Sequence, residues 1–152
     1  DAIINIVSKE LNLDPETVAE AHLELAERYL DEGKKLLDKD PIQASEKLYK
    51  AVEECVKAFA KHFKLEDILG KVGERGRWTV TDLEKAVLRI SERVGEWFRR
   101  VWDEANYLHV WGFHEAKLDS EDVKARARDV EEAVAKAVAL IRIKKEKDIR
   151  NQ

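Results

Sequence analysis

The amino-acid sequence predicts an all-α fold, a compact bundle of five or six helices. Apolar residues recur at three- and four-residue spacing through most of the chain, which is the pattern of amphipathic helices. Two segments open with the same pair, Asp14-Pro15 and Asp40-Pro41, in which Asp suits the N-cap and Pro the first helical position. No segment shows the alternation of apolar and polar residues that marks a strand.

The length and composition predict a single cytoplasmic domain. The 152 residues fit one domain, 1–152, in which 143–152 form a charged C-terminal tail. Hydrophobic residues (44%) are too many for a disordered chain, and charged residues (39%) are too many for a membrane protein. We see no signal peptide, and no apolar run approaches the roughly 20 residues of a membrane span.

Two further features of the composition bear on environment and partners. The only cysteine, Cys55, fits a reducing compartment, and the scarcity of Cys, Met, Asn and Gln beside abundant Glu, Lys and Arg resembles the composition of thermophile proteins. The formal net charge of -4 argues against non-specific coating of DNA. A basic groove formed locally, or by two subunits, stays compatible with this charge.

The first half of the chain predicts a short helix at 2–11 and then a helical hairpin. The hairpin helices, Pro15–Leu37 and Pro41–Phe63, are joined by so few residues that they should pack antiparallel. The expected apolar face of the first comprises Val18, His22, Leu25, Ala26, Tyr29 and Leu36. The expected inner face of the second comprises Ala44, Leu48, Val52, Cys55, Phe59 and Phe63. Its expected outer, solvated face comprises Lys50, Glu54, Lys57 and Lys61.

The second half predicts a loop followed by three helices. The segment 64–78, KLEDILGKVGERGRW, contains three glycines and is predicted to be the loop. A capping box at 81–84 should begin a helix that ends near Val94, because Gly95 follows. A long helix should then cover 96–117, and the last helix should begin after Asp119 or Ser120.

The long helix carries an unusual aromatic segment, WDEANYLHVWGFHE, at 102–115. At about 100° per residue, Tyr107, Trp111 and His114 form a stripe on its otherwise polar side. Tyr and Trp are the residues that dominate protein interfaces, so this stripe is a candidate subunit interface. Cover by the glycine-containing segment 64–78 is an equally weighted alternative.

The four histidines do not predict a metal site. His109 and His114 are five residues apart and would lie about 140° apart on an α-helix, whereas a helical metal pair uses positions i and i+4. His22 lies within an apolar face and is expected to be a hydrogen-bonded core residue. His62 lies near a helix C-terminus, where positive charge is favoured. Neither a metal nor a cofactor is predicted.

The residues of two segments resemble a known class of helical domains. The segment QASEKLYKAVEECVKAFA (43–60) resembles the first hairpin of HEPN-type domains. Together with GRW (76–78) and LHVWGFHEAKLD (108–119), the chain resembles specifically the archaeal PaREP family over Thr17–Val138. The HEPN resemblance implies a compact helical bundle and often a homodimer. Many members of that class are metal-independent ribonucleases in defence or toxin–antitoxin systems, frequently beside nucleotidyltransferases.

The resemblance also implies what an active member would need. Active HEPN ribonucleases carry an arginine a few residues before a histidine on a long late helix. This chain has His109, with Asn106 before it, but the positions at which the arginine is expected, 102–104, hold Trp, Asp and Glu. Arg99 and Arg100 come too early, because nine or ten residues span about 14 Å along a helix. Arg75, Arg77 or a partner chain would therefore have to supply the positive charge.

Three functions follow as hypotheses. The first is a binding or interaction module, associated with RNA or a nucleotide in an archaeal mobile-element or defence context. Its expected partners are a second copy of the chain, RNA or a nucleotide, and a nucleotidyltransferase-type protein. The second is a divergent ribonuclease that uses His109 and Asn106, with Arg99, Arg75 or Arg77 holding the phosphate. The third is a purely structural helical dimerisation module.

Overall fold

The computed structural model describes residue 4 and residues 13–151, and the described part confirms the all-α bundle. It contains no strand, and its helices, numbered in chain order, are α1 (Pro15–Leu36), α2 (Pro41–His62), α3 (Glu66–Arg75), α4 (Val80–Val94), α5 (Trp97–Tyr107) and α6 (Ser120–Arg150). A π-helical segment, Leu108–His114, directly continues α5. The short helix predicted at 2–11 lies, except for Ile4, outside the described residues.

The predicted hairpin is confirmed, and both of its starts follow the Asp-Pro pattern. The side chain of Asp14 accepts a hydrogen bond from the backbone N–H of Thr17 (2.9 Å), and that of Asp40 accepts one from Gln43 (3.0 Å). Such caps satisfy N–H groups that the first turn of a helix leaves without partners. Helices α1 and α2 then pack closely against each other.

Helix α2 is the central helix of the bundle. It packs against α1, α4, α5, α6 and the π-helical segment, and most of its 22 residues are buried. The ring of Phe59 is fully buried and meets that of Phe98 edge-on, with 5.2 Å between the ring centroids. The prediction of a solvated outer face on α2 is therefore wrong for Glu54 and Lys57, which are only 3% and 6% exposed.

The buried polar side of α2 forms a small network with α1. The Nδ1 atom of His22 lies 2.5 Å from Oε2 of Glu54, and Nζ of Lys57 lies 3.8 Å from Glu54 and 3.6 Å from Glu53. Burial lowers the pKa of His22 below its ordinary value. Burial alone would raise the pKa of Glu54, but its hydrogen bond with His22 and the charge of Lys57 hold it below its ordinary value. Neutral His22 therefore donates to a carboxylate, which confirms its expected role as a hydrogen-bonded core residue.

The glycine-containing segment was predicted to be a loop, and that prediction is wrong, because 66–75 form α3. Ile68 and Val72 are four residues apart and both buried, so they anchor one face of this helix. Gly70 lies on the open side, where an added Cβ would have nothing within 4 Å. The helix ends at Gly76, which has a φ of +78° that favours glycine.

The ends of the later helices differ from the prediction in detail. The capping box of α4 begins at Thr79 and pairs it with Asp82, two residues before the predicted position. Helix α4 ends at Val94 as predicted, where Gly95 has a φ of +118°. Asp119 is the N-cap of α6, which continues through Arg150 and so includes most of the charged tail. None of the described helices has the length and apolar composition needed to cross a membrane.

The buried pair makes a pH-dependent contribution to stability that can be measured. Since the pKa of His22 is lower in the folded protein, the unfolded chain binds the proton first as pH falls below about 6.5. We therefore expect the free energy of unfolding to decrease with acidification from that pH. In the double variant His22→Leu/Glu54→Leu this component should be absent, because neither member of the pair remains.

Glu54→Leu alone is the matched control for that experiment. It leaves the buried His22 N–H without its acceptor and should cost about 1–3 kcal/mol. Urea unfolding at several pH values measures all three proteins. An identical dependence on pH in the wild type and the double variant would show that His22 titrates alike in the folded and unfolded states.

Candidate functional site

The candidate site is built on the π-helical segment, whose hydrogen bonds join residues five apart. The backbone N–H of Glu115, for example, donates to the carbonyl of Val110 at 2.8 Å. In this geometry residues i and i+5 come close together, which they do not in an α-helix. The Nε2 atoms of His109 and His114 accordingly lie 3.1 Å apart. The predicted separation of these histidines onto different faces is wrong, because it assumed α-helical rotation up to residue 117.

The segment lies directly on α2 at Gly112. An added Cβ at this position would lie 2.5 Å from the Cβ of Ser45 and closer still to its Oγ. Ser45 cannot easily move, since it is fully buried and its hydroxyl donates to the carbonyl of Pro41 at 2.8 Å. Glycine is therefore the residue that permits this approach of the two backbones.

The close approach places His109 over two side chains of α2. Its Nδ1 atom lies 3.0 Å from Oε2 of Glu46, and its ring stacks on that of Tyr49 with 4.1 Å between the centroids. The side chain of His109 is 28% exposed and that of Glu46 is 10% exposed, while His114 is exposed. A continuous polar chain, Glu46–His109–His114, therefore leads from the surface of α2 to the solvent.

The partners of His109 assign its tautomer. A carboxylate only accepts, so the proton of neutral His109 lies on Nδ1 and is donated to Glu46. Its Nε2 then carries a lone pair, which accepts a hydrogen bond from Nε2–H of His114.

Tyr49 contributes to the site the aromatic ring on which His109 stacks. Burial, followed by the charges of Glu53, Glu46 and Glu84, raises the pKa of its hydroxyl well above the ordinary range. Tyr49 therefore stays a neutral phenol, and its role at the site is to support the imidazole ring by stacking.

The other residues predicted for catalysis or anion binding are engaged elsewhere. Asn106 donates from Nδ2 to the carbonyl of Trp102, one turn earlier, at 2.8 Å. Arg99 bonds to Glu96 (2.8 Å) and more distantly to Asp103 (3.5 Å). The guanidinium of Arg75 makes two hydrogen bonds, of 2.7 and 2.9 Å, to the carboxylate of Asp82.

Two further charged residues considered for the site, Arg77 and Glu104, lie on different helices or their ends. Arg77 is exposed just beyond the end of α3, a helix that packs against α4. The side chain of Glu104 is hydrogen-bonded to Asp129 of α6, and burial together with that contact raises its pKa to about 7. The structure thus brings together the two histidines and Glu46. It does not bring Arg75 or Arg99 to them, because these guanidiniums are hydrogen-bonded to Asp82 and Glu96.

The predicted interface residues, Tyr107, Trp111 and His114, are all exposed. Tyr107 and Trp111 are 40% and 46% exposed, as is Val110 (42%), which was not predicted, and the guanidinium of Arg126 lies 4.3 Å above the ring of Tyr107. The alternative, cover by the glycine-containing segment, is not supported, because that segment forms α3 and packs on α4. Among the described residues, no group of three or more His, Cys, Asp or Glu side chains is arranged to hold a metal ion.

Sequence reasoning missed Glu46 and Tyr49 as parts of the site. They are on α2, and Glu46 precedes His109 by 63 residues. Tyr49 lies next to the predicted apolar face of α2, whereas Glu46 lies on the side predicted to face the solvent, so only Tyr49 carries a signal in the sequence. Nothing in the sequence pairs Glu46 with His109, since the contact depends on the π-helical geometry.

The chain is similar to known archaeal proteins over most of its length. The sequence model of the archaeal PaREP1/PaREP8 family matches residues 21–148. A protein from Sulfolobus solfataricus with a known crystal structure shares 38% sequence identity with this chain. The two structures superpose with a TM-score of 0.70, and the match covers 75% of this chain and 93% of that one. A solution structure of the same target is also 38% identical, with a TM-score of 0.65 over 74% of this chain and 88% of that one. No curated protein matches the chain.

The contact at Gly112 can be tested with a matched pair of glycine substitutions. Gly112→Ala forces a methyl group against buried Ser45 and should destabilise the protein by about 1–3 kcal/mol. Gly70→Ala places the same methyl group in open space within α3 and should stabilise by about 0.5–1 kcal/mol. Denaturant unfolding measures both. Equal effects in the two variants would mean that the segment does not lie on α2 as described.

Proposed function

The chain belongs to the archaeal PaREP1/PaREP8 family, and for this member we propose a role as a HEPN-like helical binding module that acts as a homodimer. The observation that carries the proposal is the exposure of Tyr107, Val110 and Trp111, three large side chains within five residues on and beside the π-helical segment. Exposed aromatic and aliphatic side chains of this size favour a binding surface, and Tyr and Trp are enriched at interface hot spots.

A second copy of the chain is the partner that these observations favour most. HEPN-type domains, which the sequence resembles, are often homodimers. A two-fold interface brings the same surface of each copy together, so each Trp111 would pack against the face formed by Tyr107 and Val110 of its partner. The charged guanidinium of Arg126 beside Tyr107 would then lie at the rim of the interface, where polar groups are usual.

The wider setting of the proposal is an archaeal mobile-element or defence system. In that setting the dimer would associate with RNA or a nucleotide, or with a nucleotidyltransferase-type protein, in the cytoplasm. The class resemblance supports these partners. The single buried cysteine, Cys55, supports the reducing compartment.

The dimer is tested by replacing Trp111 with Glu. A charge in a desolvated contact is costly, so we expect Trp111→Glu to weaken association at least about tenfold. Leu88→Glu is the matched control, since Leu88 is a similarly exposed apolar residue (50%) on α4. Sedimentation velocity over a range of concentrations measures the association. A monomeric wild type at high concentration would rule out the dimer. Equal effects of the two substitutions on association would show that the interface does not involve Trp111 specifically.

A ribonuclease is the second candidate, because two histidines in contact could act as base and acid in phosphodiester transfer. One would accept the proton of the 2′-hydroxyl, and the other would donate a proton to the leaving oxygen. Efficient transfer also needs positive charge aimed at the phosphate. The contact of Glu46 with His109, and the pairing of Arg99 with Glu96 and Asp103, argue against that. We therefore expect absent or weak activity.

The ribonuclease candidate is tested by incubating the purified protein with mixed RNA in EDTA. We expect the RNA to stay essentially intact, because Arg75 and Arg99 are held by other carboxylates and Glu46 places a carboxylate against His109. His109→Ala and His114→Ala are run beside the wild type. Robust cleavage that is lost in both variants would establish the enzyme and displace the binding module as the main function. Cleavage that persists in both would indicate a contaminant or another site.

A further inference from the structure

We propose that His109 and His114 bind a divalent transition-metal ion of the zinc, nickel or copper type through their Nε2 atoms, with Glu46 as a positioning residue. The α-helical spacing that argues against a metal pair does not apply here, because the π-helical segment brings i and i+5 together. This proposal does not depend on the dimer or on RNA binding.

The distance between the two nitrogen atoms fits shared coordination. Zinc lies about 2.0–2.1 Å from a histidine nitrogen, and a tetrahedral angle then puts two such nitrogens about 3.3 Å apart. The observed separation of the two Nε2 atoms is 3.1 Å, and the two rings are inclined at 80°. The metal ion can therefore take the place of the shared proton with a small widening of the pair, provided that the exposed His114 releases its Nε2 proton to water and carries a proton on Nδ1 instead.

Glu46 prepares His109 for this role. Metal-binding histidines commonly donate the proton of their second nitrogen to a carboxylate, which fixes the tautomer and strengthens the ligand. Nδ1 of His109 lies 3.0 Å from Oε2 of Glu46, so the proton stays on Nδ1 and the lone pair on Nε2. The stacking on Tyr49 holds the ring in the same orientation.

The pair needs a positive centre between its two nitrogens. If both Nε2 atoms carried lone pairs, they would repel each other at 3.1 Å, so either a proton or a metal ion has to lie between them. Imidazole ligands suit zinc, nickel and copper ions. The exposure of His114 leaves the remaining coordination positions open to water or to donors of a bound partner.

The experiment is calorimetric titration of the metal-free protein with zinc chloride. We expect the wild type to bind zinc and His114→Ala to bind it at least about tenfold more weakly. His114 is exposed, so its removal should leave the fold intact, and a thermal melt checks this. The matched control is His62→Gln, which alters another histidine–glutamate contact, with Glu16, and should leave the zinc affinity unchanged.

Variants of Glu46 separate positioning from coordination. Glu46→Ala should weaken zinc binding about 10–100-fold, the usual effect of removing such a partner. Glu46→Gln keeps an acceptor for the Nδ1 proton and should bind more tightly than Glu46→Ala. NMR adds a site-specific readout, in which zinc should shift the ring signals of His109 and His114 and leave those of His22 and His62 in place. No zinc binding by the wild type, or equal affinity in wild type and His114→Ala, would overturn the proposal.

Discussion

The close packing of Gly112 on Ser45 is the contact on which the candidate site depends. It sets the distance between the π-helical segment and α2, and a side chain larger than hydrogen at position 112 would overlap with a fully buried hydroxymethyl group. With the segment at this distance, His109 reaches Glu46 and stacks on Tyr49. The π-helical turn then brings His114 to the other nitrogen of the same ring. A π-helical turn is uncommon, and such turns occur frequently at functional sites.

Helix α2 supports this arrangement because it is held from all sides. Its Glu54 accepts from His22 of α1, while its Glu46 accepts from His109 of the π-helical segment. The first contact is sealed in the core, where a neutral histidine has a structural role. The second is half open to the solvent and ends in an exposed histidine. The same chemical pair therefore supports stability at one position and, as we propose, orients a metal ligand at the other.

The sequence predicted the elements whose signals are local. The Asp-Pro pairs predicted the first residue of α1 and of α2 correctly, because capping and proline geometry act within one turn. The prediction failed where contacts with other helices outweigh the local sequence pattern. Three glycines suggested a loop, yet Ile68 and Val72 hold α3 against its neighbours. Glu54 and Lys57 were placed in water because an amphipathic pattern assumes one buried face, whereas α2 is enclosed by several helices. The pairing of His109 with His114 depends on a change of helical pitch that residue spacing does not reveal.

Glu46 and His114 hold the two ring nitrogens of His109. A long-range ¹H–¹⁵N correlation spectrum of the histidine rings, recorded without metal at a pH where they are neutral, detects which nitrogen carries the proton. We expect His109 to be protonated on Nδ1, the minor tautomer of free histidine, and Glu46→Ala to shift it towards the Nε2 form. A wild-type His109 that is protonated mainly on Nε2 would show that Glu46 does not accept its proton.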